Sequence, residues 1–302
     1  MRVVAALGGN ALLRRGEPAD AEAQRANVET AVRALADVAR SHELVVTHGN
    51  GPQVGLLALQ SEAYRAVAPY PLDVLGAESE GMIGYLLEQG LDNALPGRET
   101  CTLLTQVVVD SDDAGFDRPT KPVGPVYGRD EALRLSGERG WSVATENGGW
   151  RRVVPSPEPR RIVELRAIRL LVEAGVIVVC VGGGGVPVVM DGAGSLVGVE
   201  AVIDKDLAAA LLATELEADA LLLLTDVNAV EARHGEPDAH PLGRATPSEL
   251  RELELAAGSM GPKAEAAARF VEATGGLAAI GSLEDAAALL TGDAGTLVAA
   301  SP

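Results

Sequence analysis

The stretch LVVTHGNGPQVGLLALQSEAY, residues 44–64, decides the fold class, because it joins a β-branched run to a helical pattern through a glycine-rich turn. Residues 44–47 read as a strand, THGNGP (47–52) as the turn and residues 52–64 as a helix. A strand that feeds a helix directly is half of a crossover unit, from which mostly parallel sheets are built. Upstream, residues 3–7 give another strand, LGGN (7–10) a second turn of the same kind, and residues 21–40 a helix with Val28, Ala31, Val32, Leu35 and Val38 on one face. Downstream, a helix at 77–95 and a strand at 102–109 complete a first lobe.

From residue 110 to residue 159 the core periodicity stops, and the segment is rich in Pro, Gly and Asp and holds both tryptophans. So long an excursion reads as a lid or small subdomain. Alternation resumes with a helix at 161–174, a strand at 176–181 and a hairpin from VPVVM to LVGVE. A helix at 206–217, a strand at 220–224, a helix at 262–274 and strands at 277–280 and 296–299 form a second lobe.

Composition narrows the function. The 302 residues are 47% hydrophobic, enough for a substantial core. A formal charge of −18 with only 3% aromatics argues against nucleic acid and against an anionic membrane surface. Cys101 and Cys180 lie inside apolar runs, which reads as buried thiols of a reducing compartment, and the cytoplasm is the default expectation. The longest uncharged apolar run, 174–190, is broken by Gly182 to Gly185 and Pro187 and falls short of the ~20 residues of a spanning helix. Gly8, Gly9 and Asn10 interrupt the apolar start, so it reads as mature sequence rather than a signal peptide.

The chemistry-bearing residues cluster at the turns. LGGN and THGNGP each follow a strand and precede a helix, so their amides can face an anion at the carboxyl edge of the sheet. One such turn is equally a tight connection; two in one lobe favour the anion site. Neither matches the GxxxxGK[ST] or GxGxxG loop. The third, VGGGGVPVV (181–189), holds more glycine than turn geometry needs, which suggests close backbone approach, although two of the four could serve a bulge. His48 beside its turn is either a base or a hydrogen-bonded structural residue.

Of 25 basic residues only Lys121, Lys205 and Lys263 are lysine. They lie in PTKP, IDKD and GSMGPK, among prolines, glycines and aspartates rather than on helix faces. A compact ammonium suits a crowded site around a moving phosphoryl group better than a planar guanidinium does. Asp204 reads as a helix N-cap, Asp206 as a partner for the ammonium, and Thr225 and Asp226 end a buried strand as a turn or a nucleotide rim.

Taken together, ALGGNALL, VVTHGNGPQVG, YPLDVLGAESEGMIGY, RPTKPVGP, GWRRVVPSPEP, VVCVGGGGVPVV, GVEAVIDKDLAAALLA, LLLLTDV and GSMGPKAEAAARFVEATGG closely resemble carbamate kinases, within the amino acid kinase superfamily. The stretches run in order over nearly the whole chain. The resemblance implies a single domain, 1–302, built as a three-layer α/β/α sandwich around a mostly parallel sheet. It implies a carbamate-binding and dimerisation lobe (about 1–109 with 160–190), a protruding lid subdomain (110–159) and a nucleotide-binding lobe (191–302). Reversible phosphoryl transfer between ATP and carbamate, Mg²⁺ accompanying ATP or ADP, and a homodimer are further implications. Gly8, Gly9, Asn10, Gly49, Asn50 and Gly51 would hold carbamate or carbamoyl phosphate; Lys205 and Lys263 the phosphates, organised by Asp206; and Lys121 would reach in from the lid. Thr225, Asp226, Val230, Met260 and Lys263 would seat the nucleotide. Many members carry aromatics near the adenine where this chain has Ala229, Val230 and Leu255. An acetylglutamate- or aspartate-kinase-like enzyme, or a non-catalytic nucleotide or metabolite sensor on the same scaffold, are the alternatives.

Overall fold

The computed structural model describes the whole chain except residues 14–16, 18, 19, 65, 147, 237, 254, 256–259 and 302, and the side chain of Asn10. At its centre is an eight-stranded sheet in the order Arg244–Ala245, Thr296–Val298, Leu277–Ser282, Ala220–Thr225, Arg2–Leu7, Glu43–His48, Ile177–Val179, Thr100–Thr102. All of its pairings are parallel except that of Leu277–Ser282 with Thr296–Val298.

The central strands are apolar throughout, as buried parallel strands must be. Their alternate residues feed two separate cores. Val4, Ala6, Val45, Val178, Leu221 and Leu223 pack with the helices Leu165–Glu173, Lys205–Glu215 and Met260–Thr274. Val3, Ala5, Val46, Val179, Leu222 and Leu224 face the other way, onto Ala21–Ala39, Leu72–Ala94 and Ala286–Thr291. Helices on both faces of one sheet make the three-layer sandwich expected. Each of these strand side chains is fully buried, and each such Val or Leu contributes roughly 1.5–3 kcal/mol. Among the described residues no helix is long and apolar enough to cross a membrane.

Two expected elements divide. The run 102–109 is two strands in two sheets, Thr100–Thr102 in the main sheet and Gln106–Val109 in a four-stranded sheet with Pro159–Ile162, Val186–Met190 and Leu196–Gly198. The break falls at Thr105, whose amide is taken by the Glu80 side chain instead of a strand neighbour, while its carbonyl already accepts from Val186 of the second sheet. The expected helix at 161–174 begins only at Leu165, because residues before it pair as a strand with Gln106–Val109.

Residues 121–154 of the segment without core periodicity are largely regular. Lys121–Tyr127, Gly149–Val154 and Ser142–Glu146 form a three-stranded antiparallel sheet, with helix Arg129–Arg139 packed beside it. The guanidiniums of Arg139 and Arg152 both stack on Trp141, each 4.8 Å from the ring centroid, and Val123 and Val154 pack on Val54, Leu72 and Leu75 of the neighbouring helices. So small a sheet buries few side chains, hence the weak hydrophobic pattern.

Candidate active site

Three neighbouring central strands, Ala220–Thr225, Arg2–Leu7 and Glu43–His48, run parallel and end at one cavity of about 1190 Å³. Gly8 and Gly9 follow the middle strand and Gly49, Asn50 and Gly51 its neighbour; all five line the cavity, as do Thr225 and Asp226 from the third. The carboxyl edge of a parallel sheet is where such folds place ligands. The two turns touch: a Cβ on Gly49 would lie 2.8 Å from the Gly9 amide nitrogen and 3.1 Å from Lys205 Cδ. Only glycine permits that approach.

The helix Lys205–Glu215 points its N-terminus into the same space. Asp204 caps it, accepting the amides of Asp206 and Leu207, a bond worth about 0.5–2 kcal/mol. The other Asp204 oxygen accepts Lys121 Nζ at 2.7 Å, which ties the three-stranded sheet to the cavity wall. Asp206 accepts Lys205 Nζ at 2.6 Å on one oxygen and Lys263 Nζ at 3.1 Å on the other. All three lysines of the chain therefore meet around two aspartates, at one spot of net positive charge in a strongly acidic protein. Burial works to raise the Asp206 pKa, but the two ammonium groups outweigh it and hold the carboxyl below its ordinary value. Burial, and then repulsion from Lys205, push Lys263 downward. An incoming anion relieves that repulsion, so the cluster is built to receive phosphate.

Both Asp206 oxygens are engaged by lysines, and among the described residues no group of three or more His, Cys, Asp or Glu side chains is placed to hold a metal ion. This donor set fits a Mg²⁺ that enters on nucleotide phosphates. At the outer end Val227, Asn228, Ala229, Leu255 and Met260 line the cavity, with His234 held by Glu231 at 2.6 Å.

Two expected residues stand apart. Val230 does not reach the cavity: its side chain is fully buried in the core and its amide donates to Thr296 Oγ1. The side chain of Asn10, and Gly258 and Ser259 of the GSMGPK motif, lie outside the described residues. Sequence reasoning missed Ser79, Glu80 and Thr105. Asn50 donates to Ser79 Oγ at 2.7 Å, and Ser79 donates to the Gly76 carbonyl. For Ser79 and Glu80, polar residues on the buried side of a helix were the signal available; Thr105, between two strands, offered none.

A parallel α/β sandwich whose carboxyl edge gathers glycine turns, a capped helix N-terminus and a lysine cluster defines a phosphotransferase, and the chain belongs to the amino acid kinase family, which it matches over residues 1–281. Within that family it belongs with the carbamate kinases. It is 54% identical to the carbamate kinase of Rhizobium meliloti, covering 100% of this chain and 94% of that one, and 54% identical to that of Haemophilus influenzae, covering 99% and 96%. The solved structure of Giardia lamblia carbamate kinase bound to AMP-PNP superposes with a TM-score of 0.91 at 42% identity, over 99% of this chain and 98% of that one.

Proposed function

We propose that the chain catalyses reversible phosphoryl transfer between ATP and carbamate, giving ADP and carbamoyl phosphate. The observation that carries this reading is the convergence of Lys121, Lys205 and Lys263 on Asp204 and Asp206, beside two glycine turns, in a chain of the carbamate kinase group. Acetylglutamate- or aspartate-type acceptors and a purely sensing role are not favoured by relatives this similar over the whole chain.

Carbamate is already an anion, so no general base is required. Its oxygen attacks the γ-phosphorus as the bond to the bridging oxygen breaks, and the electron pair leaves with ADP. The remaining task is positioning and charge stabilisation. In this reading the amides of Gly9, Asn50 and Gly51 hold the acceptor, while those of Gly8 and Gly49 are given to the carbonyls of Leu224 and Leu7 and these two glycines shape the wall. Lys205 and Lys263 neutralise the transferring group, and Asp206 fixes both ammoniums. Lys121 completes the ring of charge from the three-stranded sheet, and Thr225, Asp226 and Met260 border the nucleotide. Mg²⁺ accompanying ATP would supply further charge neutralisation. Buried His48 lies below this machinery and takes no proton from substrate. A homodimer in the cytoplasm, working toward ATP synthesis, completes the proposal.

The test is a coupled assay of ATP formation from ADP and carbamoyl phosphate with Mg²⁺. Robust turnover is expected, and none with acetylglutamate or aspartate as phosphoryl acceptors. Turnover of a larger acid with none of carbamoyl phosphate would overturn the reading.

A further inference from the structure

Beneath the two glycine turns lies a pair of buried titratable side chains that phosphoryl transfer does not use. His48 ends its strand 1% exposed, and Glu80, on helix Leu72–Ala94, is 2% exposed. His48 Nδ1 lies 3.1 Å from the carbonyl oxygen of Gly49, its own neighbour in the turn. A carbonyl can only accept, so Nδ1 carries the hydrogen and Nε2 of the neutral ring is a bare acceptor. Glu80 accepts the Thr105 amide on Oε2 at 3.0 Å, while Oε1 is buried without a partner. The two side chains press on the same point: a Cβ on Gly182 would lie 2.5 Å from His48 Nε2 and 2.9 Å from Glu80 Cγ. An unprotonated ring nitrogen and the stem of a glutamate whose Oε1 is unpartnered thus meet at one glycine, next in the chain to Gly183 of the cavity wall.

We propose that Glu80, as a neutral carboxylic acid with its hydrogen on Oε1, and His48, as the Nδ1–H tautomer, form a neutral pair that positions the acceptor pocket. The inference rests on the functional reading above. Two consequences follow from the geometry. The Gly49 carbonyl is committed to His48 and its amide to the Leu7 carbonyl, which fixes the turn and leaves the amides of Asn50 and Gly51 to the acceptor anion. Through Thr105, whose Oγ1 accepts the Val181 amide and whose carbonyl accepts that of Val186, Glu80 also holds the glycine run 182–185 from both ends. An ionised Glu80 would set a negative charge under a pocket meant for an anion, so its neutrality favours acceptor binding.

Glu80 is driven toward neutrality first by burial, against the Thr105 amide, with Glu164 adding repulsion; Cys180, itself raised by burial, lies in the same pocket. His48 is kept neutral by burial and by Lys205.

The test measures KM for carbamoyl phosphate and for ADP from neutral to alkaline pH in wild type, Glu80→Gln and Glu80→Leu. Lys263 also titrates in this direction, so the difference between wild type and Glu80→Gln is what is read. The KM for carbamoyl phosphate in wild type should rise about tenfold more than in Glu80→Gln, as one like charge a residue layer from the anion would cause, with ADP affected equally in both. Glu80→Leu, which can neither accept from Thr105 nor face His48 Nε2, should raise the KM for carbamoyl phosphate selectively at every pH, and Glu80→Gln should recover most of that loss. Identical alkaline profiles in wild type and Glu80→Gln would overturn the proposal.

An infrared readout keeps this separate from activity. Wild type at neutral pH should show the carbonyl band of a protonated carboxyl that Glu80→Gln lacks. Turnover without that band overturns this inference and leaves the function standing; the band without turnover of carbamoyl phosphate overturns the functional reading and the acceptor role with it.

Discussion

Lys205 is held at both ends. Its ammonium bonds Asp206 at 2.6 Å, and its stem runs so close to Gly49 that a Cβ there would sit 3.1 Å from Cδ. A guanidinium is wider, planar and hydrogen-bonds as a fork, so Lys205→Arg keeps the charge but not the fit. Turnover should fall on the order of 10²–10³, about 2.7–4 kcal/mol, as for loss of one preorganised donor, while nucleotide affinity and fold persist. Steady-state kinetics beside nucleotide titration check it. Arg269 is a poor neutral comparison because it forks onto Glu158 and also bonds Glu265. Arg134, in an exposed pair with Glu138, is a better one, and Arg134→Lys should leave turnover unchanged. A second residue-scale expectation concerns His48, whose pKa burial lowers from 6.5 to about 4. The unfolded chain takes up this proton below the ordinary value and the folded one only near the depressed value. The stability it represents is therefore complete above 6.5 and lost as pH falls through about 4, roughly 3 kcal/mol in all. Unfolding midpoints measured across that window should decline in wild type, and less so in His48→Asn.

At the scale of elements, the turn between Ile177–Val179 and Val186–Met190 is the most constrained piece of backbone. Val181, Gly183, Gly184 and Gly185 all have positive φ, and each of the four glycines packs against a different neighbour. A Cβ on Gly183 would lie 2.1 Å from Asn50 Nδ2, so Gly183→Ala should displace the Asn50 amide from Ser79 and cost at least about 1–2 kcal/mol from φ alone. Thermal unfolding and the KM for carbamoyl phosphate should both worsen, whereas Gly192→Ala, which meets nothing within 4 Å, should change neither. The sequence showed that these glycines were too many for a simple turn. It left two of them open to a bulge, because what each would strike comes from elements far away in the chain. The central strands were legible because both cores draw on their alternate residues. The division at Thr105 was not: a β-branched apolar run looks the same whether one sheet or two receive it. Lysine scarcity pointed to Lys121, Lys205 and Lys263, yet the role of Asp204 as partner of Lys121 depends on how the 121–154 unit docks, which no local pattern encodes. Val230 fits a nucleotide rim by position, and burial turns it into the core.

Over the whole molecule, the sheet and its two helical layers form the rigid body, and the three-stranded unit at 121–154 rests on it through one small apolar cluster, Val123 and Val154 against Val54, Leu72 and Leu75, rimmed by ion pairs. Lys121 bonds Asp204, Arg139 pairs with Glu62 at 2.5 Å and Arg152 with Glu200 at 3.2 Å. A separate small footing of this kind, outside the two main cores, suits a part that closes over ligands and excludes water. Hydrogen exchange in residues 121–154 should therefore slow when nucleotide and carbamoyl phosphate bind together, and unchanged protection would count against a lid.

Drawing every lysine of the chain into one cleft leaves the exterior without a lysine amine. A lysine-directed tag or cross-linker will find only Lys121, Lys205 and Lys263, whose side chains are 33%, 16% and 10% exposed. Covalent attachment through lysine is thus inseparable from blocking the cleft. A support or a probe that is to leave the enzyme working must be coupled through the carboxylates that cover its surface.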